Sequence, residues 1–429
     1  MIAELTVLFG VMLLGLGLGV PVFFAMGLAS AAYALAFWPK LPVMVIGQEF
    51  VDGIDGYHYA AIAFFFLAGE VMNTGGISRR LLDLARAAVG HIRGGLSHVN
   101  ILASMVFAGV SGSAVADASA IGSVMVPAMR REGYTPAYAA AVTAASATIG
   151  PVIPPSIPLV VFGLFTGASI GQLFLAGVIP GLLMGAFLLA ASYLISLRRG
   201  YPSTAWQGWR RLLRAAGDAV LALLMPVIVV VGLVGGFATT TELGAVAAVY
   251  AIVVGVGIYR DLNLSGLWRS ICRAALDSCR VLVIISVAGI FLWIVANMGL
   301  AQALAGAVTA LSDDPTVVLA AIAVLLLCLG MVLEPVTLLV IVVPILTPAA
   351  LAVGIDVVQL GVVAVLATLI GLITPPVGFL IYLSAAQAEA RAAAVVAELT
   401  PFLGALLLLL ACLVLFPSWT LWLPGLFFA

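Results

Sequence analysis

The chain has 429 residues, of which 64% are hydrophobic and 8% are charged, with a mean hydropathy of +1.29. Soluble domains carry about 45–50% apolar and about 25% charged residues, so this composition excludes a cytosolic enzyme or a secreted domain. A net charge of −1 without a basic face excludes a nucleic-acid binder. The length allows about ten to fourteen membrane crossings. The 45 glycines and 21 prolines predict that several of these helices are interrupted.

Ten apolar runs are expected to cross the bilayer, and they leave both termini on the outer side. In chain order they are 2–20, 22–37, 59–74, 134–166, 171–197, 218–236, 240–259, 279–297, 357–386 and 395–416. Residues 77–91 carry apolar side chains and arginines on opposite faces. This pattern predicts an amphipathic arm on the inner surface, with a counterpart at about 299–311.

The basic residues orient these runs, because arginine and lysine are retained on the cytoplasmic side of a membrane. Four clusters and one isolated arginine are found: Arg79, Arg80, Arg86 and Arg93; Arg130 and Arg131; Arg198, Arg199, Arg210, Arg211 and Arg214; Arg260, Arg269, Arg273 and Arg280; and Arg391. We expect all of them in the cytoplasm, and the acidic segments 49–55 and 312–314 outside. Lys40 is the one exception to this scheme.

Two further stretches begin and end on the same side of the membrane. Residues 94–129 are flanked by arginines at both ends, and residues 315–355 by acidic residues at both ends. Each is therefore either a pair of short spans or a re-entrant helical hairpin. The first contains a small and polar tip, residues 109–113, that tolerates lipid badly but can line a cavity enclosed by protein, so hairpins are the preferred interpretation.

An internal repeat relates the two stretches at a shift of 221 residues. The shift aligns Gly109 with Gly330, Pro127 with Pro348, Gly133 with Gly354, Ile149-Gly150 with Ile370-Gly371, and Pro154-Pro155 with Pro375-Pro376. Glycines and prolines fix breaks in the backbone, so their common register argues against a chance match of two apolar segments. The opposite charges at the flanks predict that the repeats are inverted. Inverted repeats with interrupted helices are typical of secondary transporters that work by alternating access.

Each repeat contains two predicted breaks, a hairpin tip and a Pro-Pro interruption of the following span. Proline removes a donor from the helix, so carbonyl oxygens become free, and together with serine and threonine hydroxyls they suit Na⁺. Two such sets predict two Na⁺ sites. The alternative is a pair of proline kinks whose polar groups are satisfied by neighbouring helices. No organic cofactor is expected.

Four acidic residues are predicted at membrane depth, where a charge is costly and therefore a functional candidate. Asp117 could assist a cation, bond to the substrate when protonated, or cap the second hairpin helix. Glu334 lies in the second tip with the same alternatives. Glu70 and Glu242 lie outside the repeats, and we expect both to be structural.

The tip and break motifs resemble a known family. The run Ala108-Gly-Val-Ser-Gly-Ser-Ala-Val-Ala-Asp117, the run Ile149-Gly-Pro-Val-Ile-Pro-Pro-Ser156, the segment Thr239-Thr-Thr-Glu242 with Tyr250-Ala251, and the run Ile370-Gly-Leu-Ile-Thr-Pro-Pro-Val-Gly378 are similar to the large membrane subunit of tripartite ATP-independent periplasmic (TRAP) transporters. The resemblance extends over nearly the whole chain. It implies an all-α, multi-pass protein of the bacterial inner membrane, not an enzyme, in which a mobile transport domain moves like an elevator against a scaffold.

The resemblance also implies Na⁺-driven uptake of an organic acid, such as a C4-dicarboxylate or a sialic acid. The acid would be delivered by a periplasmic substrate-binding protein. A small four-helix membrane subunit is implied as a second partner, and we expect it to be a separate chain because no extra bundle precedes residue 1. Two alternatives are kept: a one-component Na⁺/dicarboxylate carrier, and a membrane scaffold subunit that does not transport.

The family's motifs assign the site residues by position. The expected Na⁺ ligands are Ser111, Ser113, Gly150, Ile153 and Pro154 in one site, and Gly330, Gly371 and Thr374 in the other. The expected substrate residues are Ser111, Gly112, Asp117, Pro155, Ser156, Glu334, Pro375 and Pro376. Glu334 departs from the family's usual aspartate and Ala367 from its usual asparagine, which leaves the second ion site and the substrate class less defined.

The predicted domain organisation alternates scaffold and transport segments. The scaffold comprises residues 1–93 with the first arm, and residues 167–314 with the second arm. The transport domain comprises residues 94–166 and 315–386, each holding one hairpin and one broken helix. Residues 387–429 form a C-terminal helix.

Overall fold

A computed structural model describes residues 2–38 and 43–428, and these segments are almost entirely helical. In chain order the α-helices are α1 (Ile2–Gly17), α2 (Val22–Phe37), α3 (Val43–Asp52), α4 (Ala60–Thr74), α5 (Ile77–Val89), α6 (Gly95–Ser111), α7 (Ala114–Arg131), α8 (Pro136–Ala147), α9 (Ile157–Thr166), α10 (Ile170–Arg199), α11 (Trp209–Val234), α12 (Thr240–Ile252), α13 (Leu264–Asn297), α14 (Leu300–Leu311), α15 (Pro315–Gly330), α16 (Pro335–Ala352), α17 (Val357–Gly371), α18 (Phe379–Ala388), α19 (Ala392–Leu415) and α20 (Ser418–Phe427). A 3₁₀ turn (Tyr57–Tyr59) precedes α4, and a π-helical segment (Val253–Ile258) continues α12. Lys40 lies outside the described residues.

The apolar helices agree with a multi-pass membrane protein. Among the described residues six helices are long and apolar enough to span a bilayer, or seven if α4 and α5, bent by 67°, count as one. Ten passes were predicted. Five of the six long helices coincide with predicted passes, and the sixth, α16, is the second helix of the predicted hairpin 315–355. The runs 134–166 and 357–386 each form two short helices, α1 and α2 have 16 residues each, and the run 59–74 qualifies only together with α5.

Both predicted interruptions are found. Residues 148–156 separate α8 from α9, and residues 372–378 separate α17 from α18. The predicted arms are helices too. Gly76 adopts a φ of +74° at the start of α5, which then buries Ile77, Leu81 and Leu82, and α14 occupies the position expected for the second arm.

Two additional helices and two helix boundaries differ from the expectation. The helix α3 includes residues 49–52 of the segment predicted as an acidic outer loop, and α20 follows the last predicted pass. The helices α11 and α13 begin earlier than their apolar runs, at Trp209 and Leu264. The early turns of α13 carry Arg269 and Arg273, so a search for apolar runs misses them although the Asn263 side chain caps this helix.

Equivalent helices of the two repeats begin at the same shift of 221 residues that aligns their sequences. The two second hairpin helices, α7 and α16, have 18 residues each and begin 221 positions apart. Their N-cap residues are Ser113 and Glu334, and the following helices are capped by Thr135 and Asp356 at the same shift. The shared breaks in the sequence therefore set equivalent helix ends.

The core of the molecule contains the helices that follow each hairpin. In α8 every residue from Tyr138 to Ala147 is buried, and in α17 every residue from Val358 to Gly371. Small side chains allow α8 to pack closely against α6, and polar pairs join the two helices. The Asn100 amide donates to Thr143 Oγ1 at 2.8 Å, and the Ser104 hydroxyl donates to Ser146 Oγ at 2.9 Å.

Candidate functional site

The first hairpin tip is a two-residue connection between α6 and α7. Gly112 has a φ of +58°, a left-handed conformation that favours glycine, and this lets the chain reverse immediately after Ser111. Ser113 then caps α7, and its hydroxyl accepts from the Ala116 N–H at 3.5 Å. A Cβ on Gly112 would lie 2.9 Å from the Pro155 carbonyl oxygen, so the tip packs directly on the break after α8.

Asp117 lies behind this tip and is fully buried. One carboxylate oxygen, Oδ1, accepts from the Ser111 hydroxyl, whereas Oδ2 has no hydrogen-bond partner among the described residues. A Cβ on Gly150 would collide with Oδ2, so this oxygen points at the first break. The capping alternative for Asp117 does not hold, because the Ser113 side chain caps α7. The carboxylate is withdrawn from any open cavity.

The first break exposes several carbonyl groups to the tip. The carbonyl oxygens of Gly150, Ile153 and Pro154 accept no hydrogen bond from the described residues. A Cβ on Gly109 would lie 3.6 Å from the Pro154 oxygen, which places this carbonyl beside α6. Ser156 is buried, donates to the Pro151 carbonyl and caps α9 through the Leu159 N–H at 3.2 Å, so its side chain serves the break itself.

The second hairpin repeats the contact between tip and break. A Cβ on Gly330 would lie 2.7 Å from the Thr368 carbonyl oxygen, and one on Gly371 would lie 2.7 Å from Gly330 Cα. The two glycines therefore bring α15 and α17 into backbone contact. In the break, the Thr374 hydroxyl donates to the Ile370 carbonyl at 2.7 Å, and the Thr374 N–H donates to the Gly371 carbonyl at 2.9 Å.

Glu334 differs from its counterpart Ser113 because it brings a charge to the tip. Its carboxylate caps α16, accepting from the Thr337 N–H at 3.2 Å and from the Thr337 hydroxyl at 3.3 Å. The side chain remains exposed. Of the alternatives considered for Glu334, the structure shows the helix cap. The same side chain also lines a cavity.

Both tips open into one groove of about 540 Å³. Its walls come from α4, α13, the two tips and the first turns of α7 and α16. The lining residues are Phe66, Gly69, Glu70, Asn73, Ser111, Ser113, Val115, Ala116, Ser119, Asp277, Arg280, Val281, Ile284, Glu334 and Thr337. A smaller recess beside it adds Gly112 and Pro151. Of the predicted substrate residues, the groove and its recess collect Ser111, Gly112 and Glu334.

The remaining predicted substrate residues lie elsewhere. Asp117, Pro155 and Ser156 are buried behind the first tip, and Pro375 and Pro376 lie in the second break without lining the groove.

Arg280 was missed as a site residue, because it was grouped with the cytoplasmic arginines. In the structure it lines the groove and pairs with Asp277 at 2.7 Å. The positions 277, 280, 281 and 284 of α13, and 66, 69, 70 and 73 of α4, each follow the spacing of one helix face. This spacing is visible in the sequence and could have indicated that both helices line the same cavity.

The charges around the groove are nearly balanced. Arg280 pairs with Asp277, Arg273 pairs with Glu70 at 3.3 Å, and Glu334 has no ion-pair partner among the described residues. Glu242, in contrast, lies apart from the groove and caps α12, accepting from the Thr239 N–H at 2.7 Å. With one carboxylate in excess, the groove favours cations more than anions.

The two hairpin tips, each packed on its own helix break and both facing one groove, are typical of a transport site rather than an active site. A family model described as "Tripartite ATP-independent periplasmic transporter, DctM component" matches residues 9–419. The chain belongs to the DctM family. It is therefore the large permease of a TRAP transporter, a multi-pass protein of the inner membrane and not an enzyme.

Individual relatives agree with membership of the DctM family. The chain is 40% identical to the sialic acid TRAP transporter large permease protein SiaM of Vibrio cholerae, over 95% of this chain and 96% of that protein. It is also 40% identical to the isethionate TRAP transporter permease protein DctMQ of Oleidesulfovibrio alaskensis, over 91% of this chain and 61% of that protein. The fold resembles that of the Alcanivorax borkumensis YdaH transporter, with a TM-score of 0.65 and 16% identity over 88% of this chain and 90% of that one.

Membership of the DctM family implies a partnership with a substrate-binding protein and often with a small permease. Because the DctMQ relative is a longer, fused protein, membership alone does not decide whether the small permease is a separate chain.

Proposed function

We propose that this permease couples the entry of about two Na⁺ ions to the uptake of a small organic anion. The observation that carries the proposal is that both tips line one groove and that each tip packs on its own helix break. Binding at a tip can change the packing of its break, and the two repeats share the surface that the anion would touch. Such coupling of ion and substrate at interrupted helices is the general design of secondary transporters.

The first Na⁺ would be held between the first tip and its break. The free carbonyls of Gly150, Ile153 and Pro154 and the hydroxyls of Ser111 and Ser113 supply hard oxygen ligands. The unpartnered Oδ2 of buried Asp117 adds the negative charge that a desolvated cation requires. Of the roles considered for Asp117, we therefore favour the one at the ion site.

The second Na⁺ would be held by Gly330, Gly371 and Thr374. Their backbones are already in contact, and the Thr374 hydroxyl retains lone pairs after donating to Ile370. The Gly371 carbonyl accepts from the Thr374 N–H, so ion binding would compete with a bond inside the break. For that reason we expect the second site to be weaker than the first.

The substrate would be a carboxylate or a related organic anion in the groove between the tips. Arg280 and the Ser113 end of α7 offer positive potential, whereas Glu334 opposes an anion at α16. The excess carboxylate means that Na⁺ must bind before the groove accepts an anion. The relatives named for sialic acid transport and for isethionate transport are both consistent with an anionic cargo.

Movement would take the form of an elevator. The groove lies between α4 and α13 on one side and the hairpin tips on the other, so a displacement of the hairpins against these helices would carry the site across the membrane. A periplasmic substrate-binding protein would deliver the anion, and a small membrane subunit, expected as a separate chain, would complete the scaffold.

The test is uptake by proteoliposomes that contain this permease, its small subunit and the binding protein. We expect accumulation of the binding protein's ligand with an inward Na⁺ gradient and none with a K⁺ gradient. Equal uptake in both would contradict Na⁺ coupling, and uptake without the binding protein would identify a one-component carrier. Unchanged uptake by Ser111→Ala and Thr374→Ala variants would favour a non-transporting scaffold.

A further inference from the structure

A second cavity, which shares no lining residue with the groove at the tips, lies between α10 and α19. It is a groove of about 650 Å³. On α10 its wall follows the positions 186, 187, 190, 191, 194, 195 and 198, one face of the helix. On α19 it follows the positions 401, 404, 405 and 408. The groove is almost wholly apolar, and its one charged residue is Arg198 at one end.

The dimensions of this groove match one leaflet of a bilayer. From Ala186 to Arg198 the helix rises about 18 Å at 1.5 Å per residue, slightly more than half of a hydrocarbon core of about 30 Å. Leu194 and Leu408 stand exposed along its rims, while Gly404 leaves space between them. A Cβ on Gly404 would meet no heavy atom within 4 Å outside its own helix. This surface therefore offers a trough for an extended hydrocarbon chain.

The arginine at one end of the groove indicates which head group an occupying lipid would carry. Next to the groove, Arg199 pairs with Glu398 at 2.8 Å, which ties the ends of α10 and α19 together. Arg198 itself forms no ion pair with any described residue and is exposed. An unpaired guanidinium at the membrane surface attracts phosphate, and basic pockets between helices on the cytoplasmic side recognise anionic lipid head groups.

We propose that the groove between α10 and α19 binds one anionic glycerophospholipid of the inner leaflet, with its phosphate on Arg198 and an acyl chain along Ala190 and Gly404. The apolar wall fits an acyl chain and the unpaired Arg198 at its end fits a phosphate, so one phospholipid matches both parts of the groove. The arginine clusters assign this end of α10 to the cytoplasmic side, where acidic lipids and Arg198 meet. The proposal does not depend on which substrate is transported or on Na⁺ coupling.

The test is native mass spectrometry of the full permease released from nanodiscs that contain equal amounts of palmitoyl-oleoyl phosphatidylglycerol and phosphatidylcholine. We expect one retained phosphatidylglycerol. The Arg198→Gln variant should lower the preference for this lipid about fivefold, the effect of one basic residue at a lipid surface. The Gly404→Leu variant should abolish retention because its side chain fills the trough.

Two matched controls lie on α11, where Gly217 also has open space around its Cα and Arg214 is exposed. The variants Gly217→Leu and Arg214→Gln should retain the lipid as the wild type does. Retention by Gly404→Leu, or an unchanged preference in Arg198→Gln, would overturn the proposal.

A photo-crosslinking substitution at the exposed rim, Leu408→p-benzoylphenylalanine, identifies the occupant of the groove in cells and leaves Gly404 unchanged. A phospholipid adduct supports the proposal, and an adduct with another protein chain overturns it.

Discussion

The two hairpin tips share a backbone and differ in where they carry their negative charge. At the first tip the N-cap is the neutral Ser113, and the carboxylate of Asp117 lies one turn further on, fully buried against the break. At the second tip the N-cap is Glu334, and the position equivalent to Asp117 is the buried, apolar Leu338. One tip therefore holds its charge inside and the other presents it to the groove.

The two repeats therefore share the positions of their helix ends, although they do not share the positions of their charged side chains. A buried carboxylate with an unpartnered oxygen stabilises a desolvated cation, whereas an exposed carboxylate changes the potential that a substrate meets. We therefore expect substitutions at the first tip to change Na⁺ binding, and substitutions at the second tip to change anion binding.

The largest effect is expected from Asp117→Asn. The amide keeps the bond to Ser111 but removes the charge beside Gly150, and hydrogen bonds and contacts to charged groups contribute about 1.5–3 kcal/mol. The Na⁺ concentration for half-maximal uptake should rise about tenfold to a hundredfold. Asp314→Asn, which alters an exposed helix cap, is the control. An unchanged Na⁺ requirement would remove Asp117 from the ion site.

The next effect concerns stability and the close approach of tip and break. Gly112→Ala should destabilise the protein by about 1–2 kcal/mol for the left-handed backbone, and further because its Cβ approaches the Pro155 carbonyl. Gly133→Ala is a matched control, since Gly133 has a φ of +87° with open space around it. Thermal unfolding in detergent measures the difference. Equal losses in the two variants would mean that the first tip does not depend on contact with Pro155.

A smaller effect is expected from Glu334→Gln, which keeps an oxygen to cap α16 but removes the charge from the groove. At saturating Na⁺ the KM for the anion should fall up to about fivefold, since exposed charge interactions contribute about 0.2–1 kcal/mol. Arg280→Gln should raise the KM by a similar factor. If Glu334→Gln instead raised the Na⁺ requirement as strongly as Asp117→Asn, the two tips would not divide their roles.

The smallest effect is expected from Ser113→Ala. The loss of a long cap hydrogen bond should cost about 0.5 kcal/mol of stability, with the Na⁺ requirement rising about threefold. Na⁺-dependent uptake and the amount of folded protein in the membrane are measured together. Losses of equal size in both would return Ser113 to a purely structural role.

The sequence predicts the positions of both tips and both breaks because glycine and proline act locally. The structure places helix interruptions at Gly112, Pro154-Pro155 and Pro375-Pro376, whereas isolated prolines such as Pro127 and Pro180 lie inside helices. The side chains that contact those breaks cannot be predicted in the same way, because their contacts depend on how the helices pack. Asp117 could be given three roles from sequence alone, and only the packing of α7 against α8 directs its Oδ2 to Gly150.

Arg280 shows a different limit. It follows Arg269 and Arg273 within one short stretch of the chain, so charge counting assigns it to a cytoplasmic cluster. Its location depends on the long helix α13, whose first turns are too polar to register as a membrane segment. The helical spacing of the lining residues in α4 and α13 is visible in the sequence. Only the contact between the two helices in the structure shows that these two faces line one groove.

The complete enclosure of α8 has a consequence for biosynthesis. This 12-residue helix is short for a bilayer, and its side chains Thr143 and Ser146 hydrogen-bond to Asn100 and Ser104 of α6 as well as to carbonyls of α8. Its counterpart α17 is far more apolar, with Gln359 and Thr368 as its polar residues between Val358 and Gly371. We therefore expect α8 to enter the bilayer only in contact with α6, which is synthesised before it, whereas the more apolar α17 can partition into lipid without such a partner.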